Sequence, residues 1–304
     1  MKSDDDFVSG FAAVIGFPNV GKSTLVNQLV GHKVAIVSRR PQTTRNRIRG
    51  IANTEDAQII FVDTPGIQKP RDRLEEHMVR AARRTVDDVD VVLFVVDGSR
   101  PQPGQGDLNC ASIVNRSDTP AVLVVNKLDL VDRKERDARI DTYRDLGEFD
   151  AVVATSALHG GGIDILRWEL MKLLPRGGPR YYPSDVTTDQ PTSFLVAELI
   201  REKVLELTEQ EVPYSTAVQV VQIEDRGDSN FYIAADILVE RHSQRGILIG
   251  RGGRMIRTIG ERSRREVEKL LDISIYLDLH VRVQKNWREN FSILDELGVR
   301  VDRE

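Results

Sequence analysis

The chain has 304 residues, 40% of them hydrophobic and 30% charged, with a formal net charge of −4. That length exceeds one ordinary core and predicts two domains of a soluble globular protein. The acidic balance excludes whole-chain attraction to nucleic acid, so any basic site must be local. A single cysteine, Cys110, excludes an intrachain disulfide and a Cys-rich metal site. Residues 1–6 are acidic and lack the apolar stretch of a secretory signal. No apolar run approaches membrane-spanning length, so a reducing, cytoplasmic compartment is expected.

The first apolar run, residues 11–15, reads as a buried strand, and residues 23–30 read as a helix. Between them, Gly16-Phe17-Pro18-Asn19-Val20-Gly21-Lys22-Ser23 fits the pattern Gly, four residues, Gly-Lys-Ser. In a strand–loop–helix context this is a phosphate-binding loop. Its backbone N–H groups and the helix N-terminus converge on an anion. Gly16, Pro18, Asn19, Val20, Gly21, Lys22, Ser23 and Thr24 form the predicted cradle. Lys22 would sit on the terminal phosphates, and the Ser23 hydroxyl would bind Mg²⁺.

Next comes a polar, basic segment, Pro41-Gln42-Thr43-Thr44-Arg45, with Arg39, Arg40, Arg47 and Arg49 around it. One reading is a solvated loop. The other is a switch segment whose Thr hydroxyl closes on Mg²⁺ only with a γ-phosphate present. Thr44 is preferred to Thr43 for that role. The arginines read equally as a solvated face or as an RNA or ribosome contact.

Further apolar runs at 58–62, 91–96, 121–125 and 151–154 are nearly continuous rather than alternating. Strands buried on both faces have this pattern, so a mostly parallel sheet covered by helices is predicted. Leu74, Met78, Val79, Ala82 and Val86 recur at helical spacing between two of them. Ligands of such sheets bind at the carboxyl ends of strands. Counting residues 11–15 as the first run, the second ends in Asp63-Thr64-Pro65-Gly66, where a carboxylate can serve Mg²⁺ and Gly66 admits close approach of a phosphate. The fourth ends in Asn126-Lys127-Leu128-Asp129, whose Asp can accept two hydrogen bonds from the donor edge of guanine. The fifth is followed by Thr155-Ser156-Ala157-Leu158, a loop whose Ser156, Ala157 and Leu158 can touch the base.

Together these motifs make residues 11–158 resemble a translation-factor-class GTPase, and the Era family in particular. Ile67 follows Asp63-Thr64-Pro65-Gly66, where Ras-like enzymes carry the Gln that orients the attacking water. An apolar side chain cannot do that. In the broader group that the Era family resembles, an Asn at the position of Asn19 helps bind a potassium ion. The resemblance therefore implies GTP/GDP and Mg²⁺ as cofactors, admits K⁺, and makes Lys22, Asn19 and Thr44 the catalytic candidates. Ser23, Thr44 and Asp63 are the expected metal ligands.

Pro175-Arg176-Gly177-Gly178-Pro179-Arg180-Tyr181-Tyr182-Pro183 breaks the pattern. The predicted division is a GTPase domain at 1–175, a linker at 176–191 and a second domain at 192–304. Helical spacing runs from Phe194 to Leu207, and residues 217–223 and 231–239 read as strands. Gly250-Arg251-Gly252-Gly253 then fits Gly-x-x-Gly between two helical patterns. Small residues there admit an RNA backbone. Residues 241–270 hold nine basic side chains against three acidic ones, a local basic face on an acidic chain. A strand at 275–283 and a helix at 287–297 follow.

This order resembles the type II KH domain of Era proteins. The expected fold is thus an α/β GTPase domain joined to an α+β KH domain. Ile249, Gly250, Arg251, Gly252, Gly253, Arg254 and Arg257 are the expected RNA contacts. Ile247, Ile249 and Ile256 would floor the groove, with core burial the first reading for each. Trp287 reads as packing for the last helix, and the five histidines receive no chemistry.

The resemblance implies binding of small-subunit (16S) ribosomal RNA near its 3′ end and a role in assembling the 30S subunit. It also implies nucleotide-dependent RNA affinity, a monomer, and peripheral contact with the inner face of the cell membrane. Two rivals stand beside it. One is an RNA-binding protein holding GTP as a structural ligand; the other is a GTPase acting on another RNA.

Overall fold

Apolar runs that cannot face water on either side pair into one sheet in the first part of the chain. The computed structural model describes residues 6–38, 40, 43–68, 70 and 72–298. Arg39, Pro41 and Gln42 of the switch-segment reading lie outside the described residues. The elements run β1 (Val8–Ile15), α1 (Lys22–Val30), β2 (Ile48–Asn53), β3 (Ala57–Asp63), α2 (Arg73–Asp87) and β4 (Val91–Asp97). There follow α3 (Gln105–Val114), β5 (Ala121–Asn126), α4 (Arg136–Arg144), β6 (Ala151–Ala154) and α5 (Ile163–Leu173). The sheet order is β2-β3-β1-β4-β5-β6, with β2 antiparallel to β3 and the remaining pairs parallel.

One face of the sheet packs Val14, Leu93 and Val124 against Leu25, Leu29, Leu166 and Leu170 of α1 and α5. The other packs Ile15, Phe94 and Val125 against Val79, Ala82, Cys110, Ala111 and Tyr143 of α2, α3 and α4. Each such Leu or Phe contributes about 1.5–3 kcal/mol on burial. The parallel strands therefore end together, and the loops after β1, β3, β5 and β6 share one rim.

Two sequence expectations change. The basic segment at 45–49 runs into β2, which the sequence reading left out. Gly50 lies inside that strand because a Cβ there would meet Val30 Cγ2 at 2.8 Å and Val34 Cγ2 at 3.0 Å. Residues 176–189, expected as linker, are hydrogen-bonded along the first unit. Gly177 N–H donates to Phe7 O, Ile51 N–H donates to Thr187 O, and the Tyr181 and Tyr182 N–H groups donate to Gln58 Oε1.

Two compact units result, one holding Met1–Arg71 and Met78–Asp189, the other Asp72–His77 and Gln190–Glu304. In the second, α6 (Thr192–Leu207), β7 (Ala217–Asp225), β8 (Asn230–Val239), α7 (His242–Ile249), α8 (Arg254–Leu271) and β9 (Ser274–Val283) appear in order. Its sheet is β7-β8-β9, antiparallel then parallel. The helix expected at 287–297 is instead a 3₁₀ turn, Trp287–Glu289, and a short α9, Phe291–Glu296. Asn290 separates them by capping α9, its side chain accepting from Ser292 N–H and Ile293 N–H. Trp287 is 1% exposed and its indole N–H donates to Ser215 O at 2.9 Å, so it packs rather than stacks on a base.

Candidate nucleotide and nucleic-acid sites

The loop after β1 is shaped by what surrounds it. A Cβ at Gly16 would overlap Val95 O, and one at Gly21, in the left-handed region at φ 103°, would overlap Asn126 Nδ2. Gly66 has no room for a methyl group either: a Cβ would lie 2.8 Å from Pro18 N and 2.9 Å from Pro18 Cα. The loops after β1 and β3 are thus in direct backbone contact. Thr64 fastens the second of them by donating to Val14 O at 2.7 Å. Val20 is fully buried core and offers the site only its backbone, while Thr24 lines a pocket together with Asn19, Lys22, Ser23, Thr44 and Gly66.

Lys22 is buried at the N-terminus of α1, and its ammonium donates to Gly16 O at 3.1 Å and Phe17 O at 3.3 Å. The Ser23 hydroxyl donates to Asp63 Oδ2 at 2.7 Å. The Thr44 hydroxyl donates to the same oxygen at 3.1 Å and lies 2.8 Å from Ser23 Oγ. Thr43 turns away and donates to Arg40 O. Asp63 Oδ1 is buried with no hydrogen-bond partner among the described residues.

Three hard oxygen groups converging beside an orphaned carboxylate oxygen fit a Mg²⁺ ion with its waters. Burial pushes the Asp63 carboxyl above its ordinary value, against the pull of Lys22. Burial likewise pushes the Lys22 ammonium down, against Asp63. Each charge lacks the solvation that a cation and a phosphate would replace.

Ile67 enters the core beside Val79 and Cys110, and its N–H donates to Gly16 O at 3.3 Å. Its side chain is therefore unavailable to a water at the rim. Asn19 holds the left-handed conformation at φ 66° and is exposed. The basic segment divides: Arg45 is buried, which neither reading of the segment anticipated, whereas Arg49 is exposed and pairs with Asp189 at 2.9 Å.

At the other end of the rim, Asn126 is 2% exposed and fully engaged. It donates to Val20 O at 2.9 Å and accepts from Thr155 Oγ1 at 3.1 Å and Ala157 N–H at 2.9 Å. It locks three loops together. Asp129 keeps a partly exposed carboxylate that accepts from Ser156 Oγ at 2.6 Å. Leu158 is 71% exposed, whereas Ala157 is buried.

The sequence reading missed Asp97 at the end of β4. Its Oδ2 accepts from Lys127 Nζ at 2.7 Å, and that ammonium also donates to Asn19 O at 2.6 Å. Burial pushes the Asp97 carboxyl up, but hydrogen bonds from Lys127 and Ser99 outweigh it and hold the group below its ordinary value. The signal was the Asp-Gly pair closing an apolar run at a strand's carboxyl end. His159, assigned no chemistry, stands 3.7 Å from Asp129.

In the second unit, Gly250, Gly252 and Gly253 all have positive φ, at 70°, 62° and 76°. Gly250 closes α7 against Met255, where a Cβ would lie 2.9 Å from the backbone nitrogen. Gly252 and Gly253 face open space, so a phosphate backbone can approach them. Arg251, Arg254 and Arg257 are exposed, and Ile249 and Ile256 are half-buried. Ile247, expected as core, is 47% exposed.

Residues 11–127 match the family described as 50S ribosome-binding GTPase, and residues 211–288 match the KH domain family. The chain is 47% identical over 297 residues to GTPase Era of Geobacter metallireducens, covering 97% of this chain and 99% of that one. A crystal structure of Aquifex aeolicus Era bound to GDP.AlF4− superposes with a TM-score of 0.92 at 36% identity, over 97% of this chain and all of that one. A crystal structure of Era in complex with MgGDPNP and nucleotides 1506–1542 of 16S ribosomal RNA matches to the same extent, with a TM-score of 0.92, 36% identity and 97% coverage.

Proposed function

The chain belongs to the Era family of GTPases, and we propose that it is a GTP-hydrolysing switch that binds small-subunit ribosomal RNA and acts in assembly of that subunit. The observation that carries the nucleotide half is the convergence of Ser23, Thr44 and Asp63 oxygens within 3.1 Å of one another, next to Lys22. The Gly-x-x-Gly turn with its exposed arginines supports the RNA half, as does the ribosomal RNA bound to the solved Era relative.

In the reaction, Lys22 and the loop N–H groups stabilise charge on the terminal phosphates. Ser23, Thr44 and Asp63 would hold Mg²⁺, which neutralises phosphate charge when bound. Asp129, oriented by Ser156, selects guanine through its paired donors. Asn126 and Lys127 keep the loops in register around the base. We assign no side chain as general base. Asn19 is the residue we assign to a K⁺ ion, which would stabilise charge between the phosphates, while Ile67 cannot orient a water. The same reading places the protein in the cytoplasm as a monomer, with peripheral membrane contact. It also has RNA affinity depend on the bound nucleotide.

Multiple-turnover phosphate release, with binding of the 16S 3′ segment in competition against tRNA, tests the proposal. Sustained release with preference for the 16S segment is expected. Tight GTP binding without turnover would favour a structural nucleotide. Equal competition by tRNA would favour another RNA.

A further inference from the structure

Asparagine is a weak helix former, because its amide competes for nearby backbone groups. Asn27 nevertheless sits inside α1, and its side chain serves a stretch beyond that helix. Its Oδ1 accepts from Val34 N–H and Ala35 N–H, both at 2.9 Å, and its Nδ2 donates to Ala35 O at 2.7 Å. An amide supplies that acceptor and that donor from one position. Its backbone carbonyl accepts from Gly31 N–H at 2.9 Å, where the chain leaves α1. Val34, Ala35 and Ile36 are buried, so these backbone groups depend on Asn27 rather than on water.

The anchored stretch leads into Thr44. Downstream of Thr44 the chain enters β2, whose Ile48 pairs with Asp63 in the sheet register. Upstream it is held by α1, which carries Ser23 one turn before Asn27 on the same face. The segment bearing Thr44 is therefore hung between the two elements that bring Ser23 and Asp63. Those are the groups that the Thr44 hydroxyl meets, at 2.8 Å and 3.1 Å. Ile36, Val37 and Ser38, just past the anchor, line the same pocket as Lys22, Ser23 and Thr44.

We propose that Asn27 is a positioning residue for the nucleotide reaction. It fastens the upstream end of the switch segment to α1, so that Thr44 reaches Mg²⁺ in register with Ser23. The inference rests on the nucleotide reading above and adds to it a residue that acts only through Thr44. Without the amide, two N–H groups and one carbonyl in a buried stretch lose their partner. They regain partners only in water, so the stretch lifts from α1. The arrangement that presents Thr44 is then less populated, and Mg²⁺ loses one of its three protein oxygens. Binding of GDP without Mg²⁺ calls on the β1 loop and the base-binding loops, and does not need Thr44.

The test compares the full chain as wild type, Asn27→Ala, Thr44→Ala and the double variant. Alanine is the stronger helix former, so the substitution does not weaken α1 itself. In nucleotide-free Asn27→Ala, amide exchange at Val34 and Ala35 should be faster by about tenfold or more. The Mg²⁺ concentration for half-maximal phosphate release should rise about fivefold or more. GDP affinity in EDTA should stay within about twofold of wild type, which a general defect in α1 would not allow. Added to Thr44→Ala, the Asn27 substitution should change the release rate by less than about twofold, because the two residues act as one unit. Losses that multiply in the double variant, an unchanged Mg²⁺ requirement in Asn27→Ala, or GDP affinity lost in EDTA would each overturn the inference. If the wild-type chain releases no phosphate and binds GTP no better with Mg²⁺, the nucleotide reading itself falls and this inference with it.

Discussion

The hydroxyls of Ser23 and Thr44 lie 2.8 Å apart and donate to the same oxygen of Asp63. Thr44 Oγ1 is thus delivered to the nucleotide rim, while the adjacent Thr43 is tied to Arg40 O. Thr44→Ala is expected to lower the phosphate-release rate about tenfold or more at saturating GTP. Thr43→Ala should leave it within about twofold, since its hydroxyl donates to the local backbone at Arg40 O. The reverse order of sensitivity would assign the metal contact to Thr43.

Asn126→Ala leaves Val20 O, Thr155 Oγ1 and Ala157 N–H without their partner. Each lost bond in a buried setting costs about 1 kcal/mol or more, so a loss near 3 kcal/mol is expected. Urea unfolding of nucleotide-free protein measures it. Full stability without nucleotide, paired with lost nucleotide binding, would make Asn126 a base reader rather than a lock.

Asp97 is held ionised by Lys127 and Ser99. A carboxyl depressed in the folded state stabilises above its ordinary titration range and loses that contribution as pH falls through the folded value. Asp97→Asn should therefore be less stable than wild type by about 2 kcal/mol at neutral pH. The gap should close in acid. A gap independent of pH would assign the defect to packing.

Phosphate release is expected to run faster in K⁺ than in Na⁺ at equal ionic strength. Asn19→Ala should abolish the difference while GDP affinity stays close to wild type. Equal rates in the two salts for the wild-type chain would remove K⁺ from the account.

Burial pushes the Cys110 thiol up to about 12, partly opposed by Lys22 and reinforced by Asp107. Only the thiolate attacks a disulfide reagent. Native protein at pH 8 should therefore be inert to Ellman's reagent, and reaction should reach completion in guanidinium. Rapid labelling of the native chain would mean that the core around Ile67 opens readily.

The β1 loop, the β3 loop and the base-binding loops were legible because each is a short motif closing an apolar run. Their spacing alone predicts a common rim once the strands are parallel. β2 was not legible, since its residues follow a polar basic segment and Gly50 argues against a strand interior. Only the position of α1 explains that glycine. The 176–189 segment was misread because prolines and glycines mark irregular backbone, which is not the same as unattached backbone. Gln58, buried within β3, is what captures it. Asp97 escaped notice because its partner Lys127, thirty residues on, gains meaning only when β4 and β5 lie side by side.

Ile67 gives the switch its tempo. With its side chain committed to the core, Ile67 cannot ready a water for attack at the rim. On the reading proposed above, the dwell time in the GTP state belongs to whatever completes the site, the K⁺ ion assigned to Asn19 or a partner. On that reading the protein works less like a motor than like a latch with a long fuse.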